Sequence, residues 1–191
     1  MIPTPIVLAS SSPRRFELLQ SLDLNVRVVN VSHTEIIEKS WPTREIPLQL
    51  AIQKNRNAID TRQQGEILLT ADTVVLLDNE ILHKPGDELE AAQYLSRLSH
   101  RHHEVITGVC LRTEEEICFS TTTKVWMNKL SDEAIHYYID RYQPFDKAGS
   151  YGIQEWIGWS HISRIEGSFS NVMGLPTSEV YQAVRDLNPM L

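Results

Sequence analysis

A short apolar run, residues 6–9, breaks into Ser10, Ser11, Ser12 and Pro13, after which Phe16, Leu18, Leu19 and Leu22 recur at helical spacing. That order predicts a strand, a tight loop and a helix, with Ser12 as the cap and Pro13 at the first helical position. Strand and helix patterns then keep alternating. Residues 25–31 alternate as a second strand, and residues 45–59 carry a weakly amphipathic helix with Leu48, Ala51, Ile52 and Ala58 on related faces. The segment between them, around Trp41 and Pro42, is expected to be a loop. Residues 67–69 and 74–77 are apolar and rich in branched side chains, and Asp78-Asn79 supplies a turn before Ile81 and Leu82. Asp87 starts a helix through Leu98. Residues 105–111 and 117–126 read as strands hinged at the acidic 114–116 turn, and Ser131 caps a further helix. A glycine-containing loop over 144–154, a strand over 161–165 and a helix from Pro176 through Leu187 complete the pattern. It is the pattern of an α/β chain.

The length of 191 residues with 41% hydrophobic composition suits a single domain over 1–191 with a sizeable core. A formal net charge of -7 argues against broad electrostatic attraction to nucleic acid, which requires many cationic groups to displace counterions. Any phosphate site must be local. Cys110 and Cys118 form neither a CxxC clamp nor a disulfide framework, so they read as apolar strand residues of a protein kept in a reducing cytosol. Residues 1–8 lack the basic start and long apolar core of a signal peptide, and no stretch reaches the ~20 apolar residues of a membrane helix. A soluble, cytoplasmic protein is expected.

Residues 10–15, SSSPRR, sit where a strand feeds a helix, so backbone N–H groups, the hydroxyls of Ser10 and Ser12 and the guanidinium groups of Arg14 and Arg15 can converge on one anion. A capped helix with solvated arginines is the plainer alternative. The segment lacks the glycines and the Lys-Ser/Thr pair of a Walker loop. Asp72 interrupts the apolar stretch TADTVVLL, where a carboxylate is costly unless paired, hydrogen-bonded or bound to a cation. Thr73 stands beside it, as a ligand contact or as ordinary strand packing. Glu35 lies in a polar loop and is able to share a divalent ion with Asp72, because hard cations take one or two carboxylates plus phosphate oxygens. Lys54 and Lys84 are candidates to neutralise phosphate charge; the alternative for Lys54 is an exposed helix lysine. In DKAGSYGIQ, residues 146–154, the glycines permit close backbone approach and Gln154 offers a donor and an acceptor to a base edge. There is no HExxH, GxSxG or GxGxxG pattern.

Taken in order, SSSPRR, ADTVV at 71–75, HKP at 83–85, TGV at 107–109, DKAGSYGIQ at 146–154 and NVMGLP at 171–176 resemble the Maf family across nearly the whole chain. The resemblance implies an elongated fold similar to inosine triphosphatase-like enzymes, with a mixed sheet, flanking helices, a cleft between two lobes and frequent homodimers. It implies hydrolysis of nucleoside triphosphates to monophosphate and pyrophosphate with Mg²⁺ or Mn²⁺. Arg14, Thr73 and Gln154 match specificity positions of the branch that looks like dTTP/UTP pyrophosphatases. Asp72 matches the family's proton acceptor, Arg15, Lys54 and Lys84 its phosphate-contacting positions, and Glu35 its acidic loop residue, with Glu38 in the same loop. Thr70 and Glu155 stand where the family often has glycine. Rival readings are a 7-methyl-GTP or broad nucleotide pyrophosphatase, and a non-catalytic nucleotide-binding regulator of cell division. Neither nucleic acid nor membrane is expected as a partner.

Overall fold

The computed structural model describes residues 5–32 and 34–187, so residues 1–4 of the opening segment read above lie outside the described residues. A seven-stranded mixed sheet runs in the order β2 (Val26–Val29), β1 (Ile6–Ala9), β3 (Ile67–Leu77), β5 (His102–Arg112), β6 (Glu116–Met127) and β7 (Ile162–Glu166), with β4 (Glu80–Leu82) pairing on β3. β1 is parallel to both β2 and β3, through the registers Ile6 to Val26 and Ile6 to Ile67. β4 and β7 pair antiparallel with β3 and β6. Parallel neighbours require crossovers, and α1 (Pro13–Gln20) and α2 (Ile46–Ala58) supply them. The remaining helices are α3 (Glu88–Leu98), α4 (Asp132–Tyr142), α5 (Trp156–His161), α6 (Phe169–Val172) and α7 (Thr177–Asp186).

The chain packs as two compact units within the described residues: 5–72 with Thr107–Thr121 and 174–187, and Thr73–Ile106 with Thr122–Met173. β3, β5 and β6 contribute residues to both. In the first, Val7, Ala9, Ala58 and Leu68 form a buried cluster, so α2 lies on the sheet through the face that also carries Ala51 and Asn55. In the second, Val75, Leu95, Val125, Tyr138 and Ile157 belong to one core built from α3, α4, α5 and the strands beneath them. No helix among the described residues is long and apolar enough to cross a membrane.

Two local readings are corrected. Ser12 does occupy the cap position of α1 in extended conformation, but its hydroxyl makes no capping hydrogen bond; its own N–H turns back to Ser10 Oγ at 3.2 Å instead. The helix start rests on Pro13, whose fixed φ suits the first position. Cys110 and Cys118 meet as a cross-strand pair rather than standing apart. The β5–β6 hairpin sets them opposite each other with Cα atoms 4.2 Å apart, the spacing of a close cross-strand pair.

Candidate active site

The first unit gathers most of the polar residues singled out above. Asp72 lies in the middle of β3, where side chains alternate between the two faces with a period of two. Thr70, two residues earlier, points at α2 and donates its hydroxyl to Ala51 O at 2.7 Å, so Asp72 faces the same helix. Lys54, three residues along α2 from Ala51, meets it there. The Lys54 ammonium forms a very close ion pair with Asp72 Oδ1 and a second with Glu35 Oε1 at 2.9 Å. The Lys54 and Asp72 side chains are 15% and 16% exposed, whereas Glu35 in its loop is 46% exposed. The cost of placing a carboxylate in an apolar strand is thereby met by a cation, and Lys54 is not a solvated helix lysine.

The position of Lys54 depends on how α2 is seated. Asn55, fully buried, donates its amide to Cys110 O at 3.2 Å and Leu68 O at 3.4 Å, which fastens α2 to β5 and β3. Gly108, the centre of TGV, lets β5 pass against the first turn of α2: a Cβ there would fall within the backbone of Pro47 and Leu48. TGV is therefore explained by close packing. Thr70, at a position where the resemblance puts glycine, serves the same end through its bond to Ala51.

The loop from Ser10 to α1 is held from behind by Arg15. Its Nε donates to Gly174 O at 2.9 Å, and one terminal nitrogen donates to Ala71 O at 2.8 Å and Ser10 Oγ at 3.3 Å. One side chain thus ties together SSSPRR, ADTVV and NVMGLP. Burial lowers the Arg15 pKa from its ordinary value, opposed by the nearby Asp72 charge, assisted by Arg14 and opposed again by Glu35. Arg14, half-buried in the first turn of α1, is the neighbouring cation. Sequence reasoning missed the acceptors of Arg15, because backbone carbonyls carry no side-chain signal. It also missed Asn55, whose only mark was a polar residue four positions after Ala51 on the inward face.

The second unit holds Thr73, Lys84 and Gln154. Thr73 follows Asp72 on β3 and is half-buried; Lys84 is exposed in the loop after β4. Gln154 lies at the end of the loop carrying Gly149 and Gly152. Gly149 adopts φ +68°, and a side chain there would press on Val75 at 2.9 Å, so this turn requires glycine. Gln154 O accepts from Trp159 Nε1 at 3.0 Å, while Gln154 Oε1 is buried with no hydrogen-bond partner among the described residues. In the same unit, His103 Nε2 and Tyr151 Oη share a buried hydrogen bond of 2.6 Å.

Comparison with known proteins adds an independent line. A dTTP/UTP pyrophosphatase from Flavobacterium psychrophilum is 49% identical over 93% of this chain and 92% of its own length. Namesakes from Porphyromonas gingivalis and Parabacteroides distasonis are 48% and 45% identical, covering 95% and 94% of this chain and 93% and 94% of theirs. Among solved structures, a nucleoside-triphosphatase / dITP/XTP pyrophosphatase from Mycobacterium abscessus aligns over 98% of this chain and 97% of its own at 17% identity, with a TM-score of 0.46. The family model described as Maf-like protein matches residues 5–187. With that span and those identities, the chain belongs to the Maf family.

Proposed function

We propose that this protein is a nucleoside triphosphate pyrophosphatase acting on dTTP and UTP, adding water across the bond between the α and β phosphates to leave a monophosphate and pyrophosphate. The observation that carries the reading is the Lys54 ammonium held between Asp72 and Glu35 on the same unit as Arg14, Arg15 and the start of α1. The names of relatives 45–49% identical support the choice of nucleotide.

A triphosphate concentrates negative charge, and its hydrolysis is accelerated chiefly by holding it in line and stabilising charge that develops in the transition state. The hydroxyls of Ser10 and Ser12, Arg14 and the first-turn amides of α1 take phosphate oxygens. Arg15 adds charge while its other donors keep the loop in place. Lys54 and Lys84 offset the charge of the leaving pyrophosphate. Asp72 orients the attacking water and accepts its proton, and Thr73 and Gln154 contact the nucleoside.

The acceptor chemistry also fits a divalent cation. Carboxylate oxygens of Glu35 and Asp72 already converge on one ammonium, and hard oxygen donors suit Mg²⁺ or Mn²⁺. When bound, such an ion supplies further charge stabilisation and a more acidic water. We place the enzyme in the cytoplasm as a nucleotide-metabolising hydrolase.

A pyrophosphate-release panel over dTTP, UTP, CTP, ATP, GTP and 7-methyl-GTP with Mg²⁺ tests this reading. The expected kcat/KM for dTTP and UTP is at least about tenfold above the others, the discrimination that a few matched polar contacts supply. A flat profile or a preference for 7-methyl-GTP overturns the pyrimidine assignment. Nucleotide binding with no pyrophosphate release turns the protein into a regulator.

A further inference from the structure

The loop that carries Gln154 is closed at both ends by one buried polar cluster. Lys147, its side chain only 9% exposed, pairs with Asp146 at 2.7 Å and with Glu155 Oε1 at 3.1 Å. Tyr138 of α4, fully buried, donates its hydroxyl to the other carboxylate oxygen of Glu155 and accepts the backbone N–H of Gly152 at 2.9 Å. Glu155 N donates in turn to Gly152 O at 3.0 Å. Gly152 leaves room for the carboxylate, since a Cβ there would stand 2.8 Å from its carbon. The Glu155 carboxylate, 18% exposed, therefore ties Lys147, near the start of the loop, to the residue that follows Gln154, and both to α4 through Tyr138.

Such a cluster is a poor source of net stability. Desolvating an ammonium and a carboxylate offsets most of their attraction, and the best-attested use of a buried ion pair is to select one conformation. The conformation selected here is that of Gln154. Its neighbour Glu155 is clamped, its own carbonyl is fixed by Trp159 Nε1, and its amide oxygen is buried without a partner among the described residues. A fixed amide discriminates between base edges, whereas a mobile one adapts to each of them.

We propose that Glu155 is a specificity-positioning residue, which acts through Lys147 and Tyr138 to hold the Gln154 amide in one orientation against the nucleobase. This rests on the pyrimidine pyrophosphatase reading. The test is kcat and KM for dTTP and CTP in the wild type and in Gln154→Leu, Glu155→Ala, Glu155→Gln and Tyr138→Phe, with a melting temperature for each. Gln154→Leu lowers the dTTP-to-CTP ratio of kcat/KM. Glu155→Ala and Tyr138→Phe lower it by about tenfold, chiefly through KM for dTTP, while CTP turnover stays within about threefold of wild type. Glu155→Gln keeps an acceptor for Tyr138 and retains most of the ratio. If Glu155→Ala does not fold, Tyr138→Phe and Glu155→Gln decide between them. A wild type without dTTP preference removes the underlying reading and the proposal with it. A ratio that falls in Gln154→Leu but holds in Tyr138→Phe and Glu155→Ala overturns the positioning role alone. So does equal loss on both nucleotides, or a ratio that falls in the Glu155 variants but not in Gln154→Leu.

Discussion

Asp72 shows how a single residue can be read from its cost. A carboxylate inside an apolar strand needs a partner, and the structure supplies Lys54 at very short range. Lys54 itself was far less legible, because a lysine in a weakly amphipathic helix looks the same whether it meets solvent or a buried acid. Glu35 was fainter still, one acid in a polar loop, and its place beside Lys54 follows only from the path of that loop. Asp72→Asn keeps the shape and removes the charge. The variant should fold, with a melting temperature near wild type, and lose at least about 100-fold in kcat, the lower range for a positioned general base. Comparable kcat in a folded Asp72→Asn protein would take this residue out of the chemistry.

At the scale of elements, β1 to β6, α1 to α4 and α7 lie close to where periodicity and caps predict them, including the side-chain caps Asp87 to Glu90 N and Ser131 to Ala134 N. Helices α5 and α6 were not foreseen. They are six and four residues long, too short for an apolar period to develop, and isolated turns of that length owe their existence to packing. Gly158 in α5 illustrates this: a Cβ there would overlap the Ile153 backbone, a constraint that no local pattern announces. The Cys110–Cys118 pairing was missed for a related reason, since it depends on which residues of β5 and β6 stand opposite each other. Gly108 offers a test of how an element positions the site. Gly108→Ala forces β5 and α2 apart at Leu48, and rigid backbone cannot yield as a flexible side chain does. The expected outcome is a loss of about 1–3 kcal/mol in urea unfolding together with reduced turnover, because α2 carries Lys54. Gly86→Ala, where a Cβ would meet only Glu90 Oε2 at 3.5 Å, should stay within about 0.5 kcal/mol of wild type. Equal behaviour of the two variants would show that α2 does not depend on that close approach.

Across the whole molecule, stability should respond to pH through His103. Burial lowers its pKa from 6.5 to about 3, with the neighbouring His102 adding to the effect, so the folded protein keeps the ring neutral while the unfolded chain protonates it. The associated stability is fully present above pH 6.5 and is lost as pH falls toward 3, with a slope approaching about 1.4 kcal/mol per pH unit. Urea midpoints measured from pH 7 to 4 should fall less steeply in His103→Gln than in wild type; parallel slopes would contradict a buried neutral histidine. The net charge of -7 makes a concentrated local cation set the means of meeting a triphosphate, the role proposed above for Arg14, Arg15 and Lys54 of the first unit. Whether that set serves α–β cleavage is decided by product analysis. Incubated with dTTP and Mg²⁺, the protein should yield dTMP and pyrophosphate in equal amounts, with no inorganic phosphate and no dTDP; dTDP with inorganic phosphate, or intact dTTP, would contradict the account.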